Sequence, residues 1–481
     1  MTPRSWSMLA SLSLLVWLTA CEDPPLDEPE PTPAAPSPLV CGQSSDLLLA
    51  PPPTLIGGQV AAPVDVLDVL AHLTVAGDAV EVVATVRFLV GELEGLPVLQ
   101  WARTPSTIAL DGEPLEAGEW VTSTVGSHPQ SMLLLDRDLP RCTEHVLEVT
   151  STVLAADVET GELPRLRARG DGVWHSSALD DGVPDRYLGM WIPSNLLFDA
   201  MPLTLEVDVD DAREHELVAN GAVSALGAGR WQVVFPSHFT AHAPFWALFP
   251  AAAATQSTGT ANLAMGPVAV EVWKLRADDT IDLDAMRDES IAHLERFDAT
   301  YGAYDHDGRF LAFMRSDLQV SMEYAGATIS VPAALEHEVF HSWWARGVGP
   351  RSDRHGWLDE GVTSWVTFPG NPEYVQPLEV GEAFANLLTG EDDWTGAGLN
   401  PLLYAFGANV FGALAAEFGV AETQSALAAF YEAHPGGTYT SQTVEDWLYC
   451  AFDAVYVKDL WWNHVYQEDG FAPLPEDGVC E

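Results

Sequence analysis

The amino-acid sequence predicts an α+β multidomain protein, in which a β-sandwich-like N-terminal domain precedes a mainly α-helical domain. The first observation is that 481 residues exceed one typical domain, while 47% apolar and 10% aromatic content is ample for packed cores. The second is a change of hydrophobic period near residue 260. Short β-prone runs precede this point and helical periods follow it, an order typical of a β domain joined to an α+β domain.

Short runs rich in β-branched and aromatic residues fill the stretch from residue 55 to residue 250, separated by Gly, Pro and Asp clusters. Such runs are typical of strands in a sandwich or a curved sheet. The clearest are 81–90, 146–154, 203–209 and 231–235. We therefore assign residues 51–260 to a β-rich N-terminal domain.

The second domain, residues 261–481, is predicted to contain strands followed by helices. Strands are expected at 268–274, 310–314 and 319–324, and a helix is expected at 283–299. Further helices are expected at 402–418, 421–433 and 444–455.

Residues 1–21 have the pattern of a bacterial lipoprotein signal peptide. Arg4 supplies a positive charge, residues 8–18 form a short apolar core, and the segment ends in LTAC at Cys21. This ending resembles a lipobox, which implies that Cys21 is acylated and anchors an exported lipoprotein at the periplasmic face or the cell surface. The alternative is an ordinary cleaved signal. The acidic, proline-rich residues 22–50 are predicted to form an extended tether.

Four cysteines remain once Cys21 is assigned to lipid: Cys41, Cys142, Cys450 and Cys480. An even number in an exported chain predicts two disulfides. Three pairings are possible, and Cys41–Cys142 with Cys450–Cys480 is the one that stays within the proposed domains.

The chain is strongly acidic, with 70 Asp and Glu residues against 21 Lys and Arg and a formal net charge of −49. A surface of this charge repels nucleic acid and anionic membranes. The only two lysines, Lys274 and Lys458, do not lie in a glycine-rich phosphate loop. The sequence also has no Gly-x-Ser-x-Gly nucleophile elbow. Chemistry on phosphates and polynucleotides is therefore disfavoured.

The sequence HEVFH at residues 337–341, followed after 18 residues by Glu360, predicts a catalytic zinc site. On a helix, at about 100° per residue, His337 and His341 lie on one face and both can reach one ion. Glu360 supplies a third ligand. Glu338, beside that face, can take the proton of a zinc-activated water.

The surrounding residues predict a helix of about four turns for this motif. Ser330 is a candidate N-cap, and Pro332 fits the first turn. Gly347 and Pro350 follow the expected end of the helix. Glu360 is expected near the start of a second helical segment, which leaves the fourth zinc position open for water. The alternative is a surface helix that carries two histidines without a metal.

The spacing of this motif resembles that of the gluzincin aminopeptidases, of the aminopeptidase N and leukotriene hydrolase type, and the chain looks like a truncated member. Residues 321–326, SMEYAG, are similar to the family's Gly-x-Met-Glu-Asn strand, which implies that Glu323 binds the substrate's α-amine. Residues 404–407, YAFG, resemble Tyr-x-Lys-Gly, which implies that Tyr404 stabilises the tetrahedral intermediate. The family's domain order implies a thermolysin-like catalytic domain at 261–481.

Two positions depart from the family pattern. Tyr324 stands where the family has Asn, and Phe406 stands where it has Lys. Tyr404 is the best tyrosine by context, and Tyr374 is the reserve candidate. The metzincin class is excluded because Trp344 replaces the required Gly and no third His follows at the required spacing.

Three further residues near the motif are interpreted mainly as structural. His355 lies between the ligands in sequence and is expected to be a surface histidine or a partner of the ligands. Asp359 is expected to orient a ligand histidine or water. Trp343 is interpreted as a packing residue, although it lies close enough to the motif to line the cleft.

The sequence therefore predicts a zinc-dependent metallopeptidase with one catalytic ion, most simply an aminopeptidase that acts on peptides. The first alternative is an endopeptidase with the same zinc machinery. The second is a non-catalytic surface lipoprotein that binds zinc for stability. Glu338 argues against the second alternative, because a purely structural site has no need of a general base.

Overall fold

We describe the protein from a computed structural model of the chain. The structure describes residues 41, 47, 50, 52–77, 79–125, 130–154, 165–166, 174–177, 187–195, 199–316, 321–368, 378, 380–381, 387–388, 402–473 and 479–480. Cys21, the signal peptide and Tyr374 lie outside the described residues.

The N-terminal half consists of β-strands, which confirms the runs predicted at 81–90, 146–154, 203–209 and 231–235. The strands are β1 Thr54–Ile56, β2 Gln59–Ala76, β3 Ala79–Val90, β4 Leu96–Gln100, β5 Thr107–Leu110, β6 Glu113–Pro114, β7 Trp120–Val125, β8 Gln130–Leu135, β9 Glu144–Leu154, β10 Arg165–Leu166, β11 Trp174–Ser177, β12 Leu203–Val209, β13 His215–Ala219, β14 Ala222–Gly227, β15 Arg230–Val234 and β16 Trp246–Pro250.

Twelve of these strands form one sheet, whose main path runs β14-β15-β12-β2-β3-β9-β5-β6. The other four form a second sheet in the order β10-β11-β16-β13. Strand β3 shows why the sequence folds this way, since Val80, Val82 and Val86 are buried while Glu81 and Arg87 on the opposite face are exposed. One hydrophobic core contains residues of both sheets. The described strands thus form the large sheet domain that the sequence predicts.

The C-terminal half combines a five-stranded mixed sheet and a two-stranded sheet with helices. Its strands are β17 Ala254–Leu263, β18 Gly266–Leu275, β19 Arg309–Met314, β20 Met322–Tyr324, β21 Ala327–Ser330, β22 Gly349–Pro350 and β23 Thr438–Tyr439. Its helices are α1 Leu283–Tyr301, α2 Leu335–Phe340, α3 Trp357–Thr367, α4 Leu402–Phe418, α5 Val420–Ala433, α6 Ser441–Phe452 and α7 Val455–His464. Short 3-10 turns occur at Tyr187–Met190, Pro332–Ala334 and Asp353–His355.

Strands β17 to β21 form a five-stranded sheet in the order β17-β18-β19-β21-β20. Strand β20 is the terminal strand in this order and pairs antiparallel with β21, with Glu323 opposite Thr328. Strand β21 then leads directly into the turn before α2. The sheet therefore places the SMEYAG segment beside the HEVFH helix.

Helix α1 supports the back of the motif helix. Asp282 caps it by accepting a hydrogen bond from the Ala285 N–H at 3.2 Å. One face buries Leu294 and Phe297, and the Phe297 ring packs on Phe340 at a centroid distance of 4.9 Å. This contact holds α2 by its apolar side and leaves the histidine side facing α3.

Most helix predictions are confirmed, but the one for 444–455 has the wrong boundaries. The structure has two helices there, α6 and α7, because Asp453 takes a left-handed conformation with φ 49° and ends α6. Both disulfides are formed, between Cys41 and Cys142 and between Cys450 and Cys480, which confirms the favoured pairing.

Among the described helices, no single one is long and apolar enough to cross a membrane. Helices α4 and α5 meet that criterion only when taken together, and they are bent by 119°. The domain division near residue 260 and the thermolysin-like character of the second half stay predictions.

Candidate metal centre and catalytic site

The helix that carries both histidines is shorter than the predicted four turns. It consists of the 3-10 turn Pro332–Ala334 and helix α2, and His341 is its C-cap. The His341 N–H donates to the carbonyl oxygen of His337 at 3.3 Å. The two imidazoles therefore still lie together, with ring centroids 4.7 Å apart.

The chain around this helix explains the difference. Ser330 is not the N-cap, because it is the last residue of β21, and Val331 in an extended conformation takes that position. Ala345 has a φ of 111°, which is outside the range of a right-handed helix, so the chain has left the helix before it reaches Gly347. The Arg346 N–H donates to the carbonyl oxygen of His341 at 3.0 Å. Tertiary packing has overridden the helical preference of Ala at this position.

His337, His341 and Glu360 converge on one point. The distance from Glu360 Oε2 is 3.1 Å to His337 Nε2 and 3.6 Å to His341 Nε2. All three residues are buried, and one ligand atom from each lies within 4.8 Å of the other two. Two imidazole nitrogens and one carboxylate are the donor set of a catalytic zinc site, so the residues present fit one zinc ion.

The pKa of His337 favours metal binding. Burial, and after it the neighbouring His341, hold the pKa of His337 well below its usual value. Its ring is therefore neutral at pH 7 and has a lone pair for a metal. The Nδ1 atom of His337 lies 3.3 Å from Thr367 Oγ1, which leaves Nε2 directed at Glu360.

His341 is oriented by groups on the far side of its ring. Its Nδ1 lies 2.6 Å from Asp359 Oδ1 and 3.1 Å from the carbonyl oxygen of Trp344. Both are acceptors, so Nδ1 keeps a proton and Nε2 is the nitrogen that faces the metal group. Burial alone lowers the pKa of His341, but Asp359, Glu323 and Glu360 outweigh it and raise the pKa well above its usual value, so zinc binding has to displace a proton from Nε2.

Two threonines at the site were missed by the sequence reasoning. Thr363 Oγ1 lies 3.3 Å from His341 Nδ1, and Thr367 contacts His337 as described above. They follow Glu360 by three and seven residues on helix α3. This helical spacing places them on the ligand face and could have identified them.

Tyr404 reaches the site through a close approach of two helices. A Cβ on Gly361 of α3 would lie 2.8 Å from the Cα of Gly407 on α4, so only glycines allow this spacing. As a result the Tyr404 hydroxyl donates to Glu360 Oε1 at 2.9 Å, and its ring stacks on His337 at a centroid distance of 6.2 Å.

Glu338 and Glu323 are both buried beside the metal group. Glu338 is 5% exposed and lies between the two histidines on α2, outside the group that can hold the ion. Glu323 is 4% exposed on β20, and its Oε1 accepts a hydrogen bond from Arg346 Nη2 at 2.8 Å. One ligand-type atom of Glu323 lies within 4.8 Å of one in His341 and one in Asp359.

Arg346 is the second feature that sequence reasoning missed. It follows His341 by five residues, and neither spacing nor periodicity links it to Glu323, which lies 23 residues upstream. The only available signal was composition, since just 21 of the 481 residues are Lys or Arg.

His355 and Trp343 lie apart from the metal group. The prediction of a surface position for His355 is wrong, because the residue is buried and its Nδ1 accepts the Ser441 N–H at 3.1 Å. Trp343 is fully buried and packs against Phe297, and its indole N–H donates to the carbonyl oxygen of Gly302 at 2.9 Å. Both residues are thus structural, and Trp343 packs in the core.

Comparison with known proteins finds no matching family model and no matching curated relative. Solved structures do match. The chain shares the fold of an M1 zinc metallopeptidase from Deinococcus radiodurans, with a TM-score of 0.61, 18% identity, and coverage of 88% of this chain and 98% of that one. The fold is therefore that of the M1 zinc metallopeptidases, which confirms the gluzincin resemblance at the level of the fold.

Two further structures show the same fold. Aminopeptidase A of Legionella pneumophila, solved with aspartic acid, matches with a TM-score of 0.62 and 15% identity over 85% of this chain and 50% of that one. Leukotriene A4 hydrolase of Saccharomyces cerevisiae matches with a TM-score of 0.61 and 14% identity over 86% of this chain and 69% of that one.

Proposed function

We propose that this protein is a zinc-dependent metallopeptidase. The observation that carries the proposal is the convergence of His337, His341 and Glu360 inside an M1 peptidase fold. When bound there, zinc supplies Lewis acidity toward a scissile carbonyl and a water. A structural site would have a fourth protein ligand, whereas among the described residues this group consists of three.

Glu338 is assigned the proton transfers. It lies between the two ligand histidines, it is buried, and it does not belong to the ligand group. A carboxylate in this position takes a proton from the attacking water and delivers it to the leaving amine. The proposal makes Glu338 the general base and then the general acid.

Tyr404 is assigned the stabilisation of the oxyanion. Its hydroxyl lies 2.9 Å from the ligand Glu360, so it is at the edge of the metal group and not in a remote part of the core. A phenol donor at that edge can hydrogen-bond to the oxygen on which negative charge develops.

The finer proposal is that the enzyme is an aminopeptidase. Its support is Glu323, a buried carboxylate on a sheet-edge strand beside the metal group, which can accept the α-ammonium of a peptide. Two structural neighbours also support an aminopeptidase. The Deinococcus enzyme has been solved, as a variant, with a Tyr-Ser-Ala substrate, and the Legionella neighbour is an aminopeptidase.

The test is a matched pair of peptides on zinc-loaded enzyme, one with a free N-terminus and one acetylated. An aminopeptidase cleaves the free peptide with the higher kcat/KM, because only that substrate places a charge at Glu323. Equal values on the two peptides contradict the aminopeptidase assignment while leaving the zinc peptidase in place. No zinc-dependent hydrolysis of either peptide contradicts the peptidase.

An endopeptidase is the second candidate, and one observation favours it. The Glu323 carboxylate already has a cationic partner in Arg346, at 2.8 Å. A carboxylate neutralised in this way attracts a substrate ammonium less strongly. Substrates without a free N-terminus would then bind nearly as well.

We also propose that the enzyme is an exported lipoprotein of the cell envelope, anchored through Cys21. The support is the LTAC ending of the apolar N-terminal segment. The Cys21→Ser variant should leave the membrane fraction, since acylation and not a spanning helix would hold the protein there. If that variant still sediments with membranes after processing, the anchor is assigned wrongly.

A further inference from the structure

A buried ion pair lies at the carboxylate that would anchor the substrate's amine. Arg346 Nη2 is 2.8 Å from Glu323 Oε1, and the two side chains are only 9% and 5% exposed. The chain has 70 acidic and 21 basic residues, so a guanidinium beside this carboxylate is not a consequence of abundant arginine. Within the part of the chain that the structure describes, the pair links strand β20 to the turn after the motif helix.

Both partners are held by the backbone. Glu323 is fixed in register opposite Thr328. Arg346 follows Ala345, whose φ of 111° is strained for a residue with a side chain. It precedes Gly347, where a Cβ would lie 2.5 Å from the carbonyl oxygen of Ser342. The residues on both sides of Arg346 are therefore restricted by the backbone and by packing, and the Arg346 side chain leaves this turn to reach Glu323.

The pair also lies close to the reacting groups. Glu323 shares a cluster with His341 and Asp359, in which one ligand-type atom from each lies within 4.8 Å of the others. A substrate α-ammonium that approaches Glu323 would meet a carboxylate that is already paired with a cation, and the guanidinium would oppose the attraction of Glu323 and Asp359. Arg346 thus has the position and the charge of an internal competitor for the substrate's N-terminus.

We propose that Arg346 determines specificity by weakening the amine anchor, and so sets how strongly the enzyme requires a free N-terminus. Arg346 is a positioning residue, since it acts through Glu323 and not on the scissile bond. The inference rests on the proposed peptidase function. It predicts that the natural enzyme prefers a free over an acetylated peptide by less than about tenfold, which is about 1.4 kcal/mol.

The test compares kcat and KM on the same free and acetylated peptides for four zinc-loaded proteins: wild type, R346M, R346K and E323Q/R346M. R346M should raise the preference for the free peptide by at least about tenfold, through a lower KM on that peptide and with little change in kcat. R346K should keep the preference of the wild type, because it restores the charge. E323Q/R346M should lose the gain, since no carboxylate is left to bind the ammonium.

A preference in R346M that is unchanged or lower, with zinc and folding intact, overturns the role of Arg346 but not the peptidase function. Absence of hydrolysis by the zinc-loaded wild type overturns both. If R346M does not fold, the wild type decides. A preference of the wild type for the free peptide of more than about tenfold would show that Glu323 binds the ammonium at full strength beside Arg346, and would overturn the inference.

Discussion

The metal-binding side and the amine-binding side of the site are built in different ways. On the metal side, His337, His341 and Glu360 project from two helices, and the ligand spacing follows from helix geometry. On the amine side, Glu323 lies on a sheet-edge strand and meets Arg346 from a turn with a strained residue. The pairing of the two histidines is thus fixed by local sequence, whereas the pairing of Glu323 with Arg346 depends on a tertiary contact particular to this chain.

The largest expected effect is on the metal side. His341→Ala should lose its zinc and, with it, all zinc-dependent turnover, because two ligands do not hold the ion against water and buffer. Metal analysis after zinc loading checks this. His355→Ala is the matched control and should keep about one zinc per chain, since its ring contacts Ser441 and lies outside the ligand group. A His341→Ala protein with a full equivalent of zinc would exclude this residue as a ligand.

The next effect concerns Tyr404, which contacts the metal side through Glu360 and His337. Tyr404→Phe should lower kcat by about 10²–10³-fold and leave KM and zinc content nearly unchanged, because the lost hydrogen bond forms mainly in the transition state. Tyr456→Phe, a change at a tyrosine that packs on Phe418 away from the metal group, is the control. An unchanged kcat would return Tyr404 to a purely structural role and direct attention to Tyr374.

A smaller effect is expected at Asp359, which supports His341. Asp359→Asn should weaken zinc affinity by about 10–100-fold, measured by competition with a chelator, because the imidazole loses the negative charge that lies 2.6 Å from its Nδ1. Asp288→Asn, at an exposed carboxylate on α1, should not change the affinity. An affinity in Asp359→Asn equal to that of the wild type would mean that the Trp344 carbonyl oxygen and the Thr363 hydroxyl are enough to orient the ring.

Much of the fold could be predicted because periodicity is local. The alternation of Val80, Val82 and Val86 defines a strand without reference to the rest of the chain. The two histidine donors were also predictable, because residues four apart in sequence lie on the same face of a helix. Helix ends were not, and Ala345 shows why, since its left-handed conformation is imposed by packing that no local pattern encodes.

The amine side shows the same limit more strongly. Glu323 was found only through a family resemblance, and Arg346 was not found at all, because the two residues are joined by sheet and turn geometry across 23 positions. A prediction from one sequence gives the charges of these residues but not their pairing. The specificity that we propose for the site therefore depends on a residue pair that cannot be predicted from the sequence alone.

We propose above all that the buried triplet of His337, His341 and Glu360 holds a catalytic zinc and that Glu338 activates the attacking water. The most direct measurement is zinc content and turnover of Glu338→Gln, matched to wild type on a free-amine peptide. We expect about one zinc per chain in both proteins and a kcat lowered by about 10²–10⁴-fold in the variant. A variant that keeps its zinc and cleaves the peptide at the wild-type rate would contradict the claim.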